Sequence, residues 1–405
     1  MADKRKDNRG RILKTGETQR ADGRYMYQYM DDVGKRKTIY RDDLNELRKE
    51  EQKIQRDLQD GIKTGSGEKI SLNEMFDLYM STKRTLKQST KTNYIYMWKS
   101  YVRDDIGLMK LSRIKKSDII KYYNKLLNNG FKANSLEIIH TLVHPTFTMA
   151  VDDGLIRINP SSGVMKVIDK GETKTKMALT EKQQEAFVTF TANNPVYSHW
   201  LPLFTFLLGT GCRIGEAIGI RWEDIDFKAG TISINHNLIY RIQDNGKCEF
   251  HVTTPKTEKG KRIIPMLDEV RKALLKEKEL EFVNGKSKVV IDGYTDFIFK
   301  NRFGNVHTPM TINRAIKRIY TLYNKEEQDK AKKENREPLL IPHFSVHVMR
   351  HTFCTRFCEN ETNVKVIQEI MGHSDISTTM NIYNHATEDK KKEAINNLNG
   401  KIKIS

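Results

Sequence analysis

Hydrophobic and polar positions along this chain change period several times, and each change marks an element. Between Gly23 and Met30 the residues alternate, with Tyr25, Tyr27 and Tyr29 on one face and Arg24, Met26, Gln28 and Met30 on the other. That is the period of a half-buried strand. Arg9 to Lys14 reads as a strand before it. Lys35 to Tyr40 reads as a strand after it, beyond the turn signal Asp31-Asp32-Val33-Gly34. Over residues 41–60 the period becomes helical, with Leu44, Leu47, Ile54 and Leu58 in rough register. Gly61 to Gly67, holding three glycines and a serine, reads as a linker.

A second unit opens at Ser71, which with Glu74 forms a capping box before Met75, Phe76, Leu78 and Tyr79. Further helices are predicted over 89–104, 117–128 and 135–152. Asn129-Gly130 closes the helix over 117–128, Asp153-Gly154 closes the last, and Pro145 is expected to kink it. No strand pattern interrupts, so this unit is expected to be all-helical. It ends at Asn159-Pro160, and Ser161 to Lys176 reads as an interdomain linker.

The third unit runs from Ala178 onward, with a capping box at Thr180 and Gln183. Tyr197 to Leu208 is an apolar helix expected to stop at Gly209-Thr210-Gly211, with Arg213 in the first turn of the next helix. Strands are predicted at Thr231–Leu238, Cys248–Thr254 and Lys261–Pro265. Pro255 to Gly260 is read as a hairpin tip between the last two, lifting Lys256 out of the sheet. Helices over 268–281 and 308–323 precede a charged insertion, Lys325 to Glu337, and then the segment His347–Tyr383. The whole is a multidomain α+β chain. It has a small N-terminal three-stranded sheet, an all-helical domain, and a mainly helical domain with a small antiparallel sheet. The expected divisions are 1–60, 68–166 and 178–405.

Composition narrows the partner. The 405 residues are 38% hydrophobic and 30% charged, with a formal net charge of +18. Such an excess points to a polyanion, either nucleic acid or an anionic membrane surface. No apolar run approaches a transmembrane length, and the N-terminus lacks the apolar stretch of a signal peptide. Exposed cations of the helical unit (Lys83, Arg84, Lys87, Lys91, Lys99, Lys115, Lys116 and Lys121) are read as a DNA clamp rather than only a solvated face. The N-terminal sheet, with its tyrosines and basic residues, has the make-up of a major-groove β-reader. Cys212, Cys248, Cys354 and Cys358 are scattered and read as buried free thiols in a reducing cytosol.

The segment from His347 to Tyr383 carries the chemistry. His347 and Arg350 stand three residues apart, so on a helix they share one face. Gly372 reads as a left-handed C-cap that fixes where His373 projects. Tyr383 follows. A phenol with an ordinary pKa of about 10 is a poor nucleophile unless cations and a base are near. A phosphodiester cradle calls for a second guanidinium from elsewhere in the chain. His343, His347 and His351 have an i, i+4, i+8 spacing that suggests zinc. However, Phe344 stands where a zincin has its glutamate, and Pro342 opposes a helix reaching back to His343. The glycines at 209–215 fit neither a dinucleotide fingerprint nor a Walker loop.

With Arg213, Lys256, His347, Arg350, His373 and Tyr383 all placed, the chain resembles a tyrosine recombinase of the phage-integrase family. The matching segments are Thr210–Glu216, Pro255-Lys256-Thr257, His347–Phe353, Met371-Gly372-His373 and Tyr383. Arg9 to Tyr29 resembles the arm-binding domain of integrases from Gram-positive conjugative transposons. Met349 and Gly215 depart from the family's usual leucine and serine. The resemblance implies arm-site binding by 1–60, core-site binding by 68–166, and catalysis by 178–405. It further implies that Arg213 and Arg350 grip the scissile phosphate and that Tyr383 attacks it to leave a 3′-phosphotyrosyl link. Lys256 protonates the leaving oxygen, His347 moves the phenol proton, and His373 hydrogen-bonds the phosphate. Glu216 is expected to position rather than react. No cofactor and no metal is implied. The implied partners are double-stranded DNA and further copies of the chain in a tetramer, with room for an accessory excision factor, in a bacterial cytoplasm. A type IB topoisomerase and a silent DNA-binding regulator are the rival readings.

Overall fold

The computed structural model describes residues 5–169, 178–242, 247–254, 261–373, 375–377, 379, 380 and 382. The chain divides into two compact units, Met1–Lys174 and Thr175–Ser405.

The first unit opens with an antiparallel sheet in the order β1 (Glu17–Gln19), β2 (Tyr25–Met30), β3 (Arg36–Arg41). Register pairs Tyr27 with Ile39 and Gln28 with Thr38. Tyr25 and Tyr27 are buried as their alternation predicts, against Leu44 and Leu47 of α1 (Leu44–Gln59). Asp43 caps α1 by accepting from the backbone N–H groups of Asn45 and Glu46. The first strand lies later than Arg9–Lys14. Asp7 takes the backbone N–H groups of Arg9 and Arg11 and the Arg11 side chain, which winds that stretch into a turn. The strand begins at Glu17, whose buried carboxylate holds Arg48 at 2.9 Å.

The stretch Gly61–Gly67 does not behave as a free linker. It contains the single turn α2 (Thr64–Gly67), and the Lys63 N–H donates to the Gly154 carbonyl at 2.6 Å. A Cβ on Gly67 would stand 2.3 Å from the Leu155 carbonyl oxygen, so only glycine permits this approach. Arg157 adds ion pairs to Asp57 and Asp60 at 2.6 and 2.8 Å.

Four longer helices follow: α3 (Leu72–Thr82), α4 (Gln88–Met97), α5 (Lys116–Asn128) and α6 (Ala133–Asp152). The Ser71/Glu74 box caps α3 as expected, and α6 continues through Pro145. Phe76 stacks on Trp98 with ring centroids 3.8 Å apart at the centre of their core. Val164 and Ile168 are buried in the same core, so the second expected linker is packed at its start. Asn159 ties the end of the unit to α6 by donating to the His144 carbonyl at 3.0 Å.

The second unit is built on α7 (Glu181–Asn193) and α8 (Leu201–Thr210). Thr180 and Gln183 form the predicted box on α7. Helix α8 runs past Gly209 and stops at Gly211, whose φ is 61°. Next come α9 (Ile214–Gly219) and strands β4 (Ile225–Asp226), β5 (Thr231–Ile234), β6 (Asn237–Ile242), β7 (Cys248–Thr253) and β8 (Arg262–Pro265). The single strand expected over 231–238 is two. The strands flanking the expected hairpin tip are not partners: β7 pairs with β6, and β8 pairs with β5 in a separate sheet of order β4-β5-β8. Residues 255–260 themselves lie outside the described residues. Helices α10 (Asp268–Asn284), α11 (Pro309–Lys333), α12 (Val346–Asn360) and α13 (Val364–Met371) complete the described part. The charged stretch from Lys325 continues α11 to Lys333 rather than interrupting it. Arg336 folds back on Glu327 at 2.6 Å, which anchors the helix end. Phe187, Phe204, Phe206 and Phe297 lie in the core of this unit. Cys212, Cys354 and Cys358 are buried as expected, whereas Cys248 is exposed.

Candidate active site

The C-terminal end of α13 organises the site. A helix leaves its last carbonyls without intrahelical donors, and they carry the negative end of its dipole. Here Gly372 takes the left-handed conformation, with φ 63°, and the chain turns out into His373 as predicted. Three consecutive carbonyls are thereby presented, and guanidinium groups take them. Arg350 donates to Met371 O at 2.6 Å, and Arg213 donates to Gly372 O at 2.8 Å. Arg262 donates to Ile370 O at 2.7 Å.

Each arginine is held a second time. Arg350 also donates to Gly211 O at 2.7 Å, which joins α12 to the turn after α8. Arg213 sits at the N-cap of α9, not inside its first turn. Its backbone N–H and its guanidinium both reach Glu216 at 2.8 Å. Arg262 reaches both Glu216 oxygens, at 2.8 and 3.2 Å. Burial would push the Glu216 carboxyl up, but the hydrogen bonds and charge of Arg262, with the charge of Arg213, hold it at about 2. Glu216 is therefore a fixed anion that aligns two arginines.

Glycine at 215 has a steric reason. A Cβ there would meet Asn237 Oδ1 at 2.2 Å and Leu238 O at 2.6 Å, so α9 can lie this close to β6 only without a side chain.

His347 and Arg350 share the face of α12 that their spacing predicts. The Val346 N–H, held by Asn313 Oδ1 at 3.1 Å, sets the start of that helix. His343 falls before α12, with its Nδ1 2.6 Å from the Tyr320 hydroxyl, so the three histidines do not align on one helix. Arg213, His347 and Arg350 together line a cleft of about 410 Å³, with Gly215, Tyr240 and Pro309 among its walls. Arg213 keeps 44% of its side chain exposed, whereas Arg350 is buried. Burial first, and then the neighbouring Arg213 charge, lower the Arg350 pKa to about 10.

His373 is placed by its backbone, whose carbonyl accepts from Gln368 Nε2 at 3.0 Å, and by its Nδ1, which lies 2.9 Å from Thr379 Oγ1. Burial, followed by the charges of Arg350, Arg213 and Arg262, pulls its pKa down to about 4. The imidazole is therefore neutral at neutral pH. Tyr383 and Lys256, the other two site residues expected from sequence, lie outside the described residues. Arg262 was not anticipated. A single arginine at the start of a short strand carries no local signal of a buried role.

Two converging guanidinium groups and an imidazole in one cleft make a site for a tetrahedral anion with more than one free oxygen. A family model described as "Phage integrase family" matches residues 177–390. Two others, described as "DNA binding domain of tn916 integrase" and "Phage integrase, N-terminal SAM-like domain", match residues 1–58 and 71–127. The chain belongs to the phage integrase family, as a tyrosine site-specific recombinase of the kind carried by Gram-positive conjugative transposons. It is 32% identical to the transposase from transposon Tn916 of Enterococcus faecalis, over 98% of both chains. It is 26% identical to a XerC-like tyrosine recombinase of Caldanaerobacter subterraneus, over 90% of this chain and 92% of the other. Among solved structures, the Tn1549 transposon integrase in complex with circular intermediate DNA superimposes with a TM-score of 0.70 at 27% identity. That match covers 80% of this chain and 99% of that one.

Proposed function

We propose that this recombinase excises and integrates a mobile element by cleaving and rejoining duplex DNA through a 3′-phosphotyrosyl intermediate. The observation that carries the reading is the pairing of Arg213 and Arg350. They arrive from α9 and α12, are anchored on adjacent carbonyls, and meet His347 in one cleft. Each guanidinium has donors left for the non-bridging oxygens of a phosphodiester, and their charge offsets what builds up in a pentacoordinate transition state. Tyr383 attacks phosphorus through its hydroxyl oxygen, and the bond to the 5′ oxygen breaks. His347 takes the phenol proton, Lys256 delivers a proton to the leaving 5′ oxygen, and neutral His373 donates a hydrogen bond to the phosphate. The free 5′-hydroxyl of another strand then reverses the step, so the energy of the phosphodiester is kept in the covalent link.

In this reading residues 1–60 bind arm sites, residues 68–166 bind core sites, and residues 178–405 carry catalysis. The Tn1549 integrase is held with circular intermediate DNA, and duplex DNA is the substrate proposed here. Four copies on two duplexes in the bacterial cytoplasm form the working assembly, with room for an accessory excision factor. The test is a suicide DNA substrate resolved on a denaturing gel. Tyr383→Phe removes only the nucleophilic oxygen, so the covalent adduct disappears while duplex binding persists. An adduct that survives in this variant would move the nucleophile elsewhere.

A further inference from the structure

Arg262 shares the carbonyl collar with Arg213 and Arg350, yet differs from both in one respect. Its side chain is only 5% exposed, as buried as Arg350, but Arg213 and Arg350 line the cleft. Arg262 is not among the described residues of that lining. What it does have is both oxygens of Glu216 and the Ile370 carbonyl, so it spans from α9 to the end of α13 across the start of β8. The fit is close on the helix side as well. A Cβ on Gly372 would stand 2.9 Å from an Arg262 guanidinium nitrogen, so the bare glycine backbone leaves room for this side chain.

We propose that Arg262 is a positioning residue for strand cleavage, a buried brace that sets the distance between Arg213 and the end of α13, where Arg350 of α12 is anchored and His373 projects. The inference rests on the proposed reading of those three residues as the phosphate site. Glu216 orients Arg213, and Ile370 O lies one residue before the carbonyl that holds Arg350 and two before the one that holds Arg213. A single planar fork linking those two anchors fixes the geometry into which a phosphate must fit. Lysine, a point charge on a flexible stem, cannot make all three contacts at once. Removing the brace leaves each phosphate-gripping arginine present but misaligned. A misplacement of about 1 Å in such a site costs on the order of 10²-fold in rate. Glu216 would also lose its strongest partner, and its carboxyl would rise from about 2 toward the ordinary range. Its anionic form, and the Arg213 alignment that depends on it, would then fail at a higher pH as acid is added.

The test compares the full-length wild-type chain with Arg262→Met, Arg262→Lys and Arg350→Ala. Duplex affinity, thermal melting and the single-turnover cleavage rate on a suicide substrate are measured across the acid range. Arg262→Met is expected to bind duplex as wild type does, to cleave on the order of 10²-fold more slowly, and to lose activity at higher pH on the acid side. Arg262→Lys is expected to fall between the two in rate. If the Met variant does not fold, the Lys variant alone decides. A folded variant with the wild-type rate and an unshifted acid limb overturns the proposal, and so does a loss confined to affinity. Arg350→Ala separates the two layers. If it cleaves normally, the phosphate-site reading fails. If it is inactive while Arg262→Met is normal, only the brace is wrong.

Discussion

The chain uses its positive charge in two opposite ways. On the helical part of the first unit, Lys83, Arg84, Lys87, Lys91, Lys99, Lys115, Lys116 and Lys121 all stand exposed to solvent. Most are lysines, strongly hydrated point charges that can follow a phosphate backbone without a fixed geometry. In the second unit, Arg262 and Arg350 are buried and Arg213 half-enclosed, and each guanidinium is fastened to at least two named acceptors. A buried cation is costly unless its donors are satisfied. Here the satisfaction comes from one carboxylate and a row of helix-end carbonyls. The contrast separates affinity from chemistry. In the proposed function, exposed lysines supply attraction that salt can screen, and braced arginines supply a geometry that salt reaches poorly.

Four measurements separate the two uses of charge. The largest expected effect is on stability. Glu216→Ala would leave Arg262 buried without its anion, a change that typically costs about 3–5 kcal/mol, and urea unfolding of the purified chain reads it directly. A loss no greater than that of a surface substitution would mean that the carboxylate is not what stabilises the collar. Arg350→Ala is expected to lower the cleavage rate by at least about 10²–10³-fold, the scale for losing one preorganised donor to a developing charge. Near-native cleavage would make Arg350 a purely structural residue.

The third effect is a shifted titration. With its folded pKa held at about 4, below the ordinary histidine value of 6.5, His373 should be neutral throughout the physiological range. The sign is that of a base whose neutral form is favoured by folding. Its contribution to stability is full above pH 6.5 and is lost as pH falls through about 4. NMR titration of the imidazole checks this, and Arg213→Gln should raise the midpoint by removing one nearby charge. A midpoint at or above 6.5 in the wild type would sink the idea. The smallest effect belongs to the exposed set. Lys87→Ala and Lys91→Ala should leave the melting temperature unchanged and weaken duplex binding modestly. Each lost phosphate contact should flatten the dependence of log affinity on log salt by about 0.9. An unchanged slope would remove these lysines from the interface.

Local signals in the sequence mapped onto the structure wherever the physics is local. Ser71 with Glu74 and Thr180 with Gln183 cap their helices, because a capping box needs only residues three apart. Tyr25 and Tyr27 are buried on one face of β2, because side chains in a strand alternate. His347 and Arg350 share a cleft by helical spacing, and Gly372 turns α13 toward His373 because only a residue without Cβ enters that conformation freely. Where the outcome depends on distant partners, sequence patterns misled. Gly61–Gly67 has a linker's composition, yet it packs on the end of α6 through Gly154 and Leu155. Lys325 to Glu337 looks like an insertion, yet as far as Lys333 it extends α11, because Glu327 finds Arg336. The pairing of β7 with β6 rather than β8 follows from sheet topology that alternation alone does not encode.

Residue identity and spacing set which side chains are present, in what order, and on which helix face His347 and Arg350 lie. How Arg213, Arg262 and Arg350 meet is a product of the fold. They come from the start of a helix, the start of a strand and the second turn of another helix, more than a hundred positions apart at the extremes. What gathers them is a set of three adjacent carbonyls at the end of α13, backbone groups that every residue carries. Such acceptors become specific only when a fold aims them, and for that reason the role of Arg262 was not visible in the sequence.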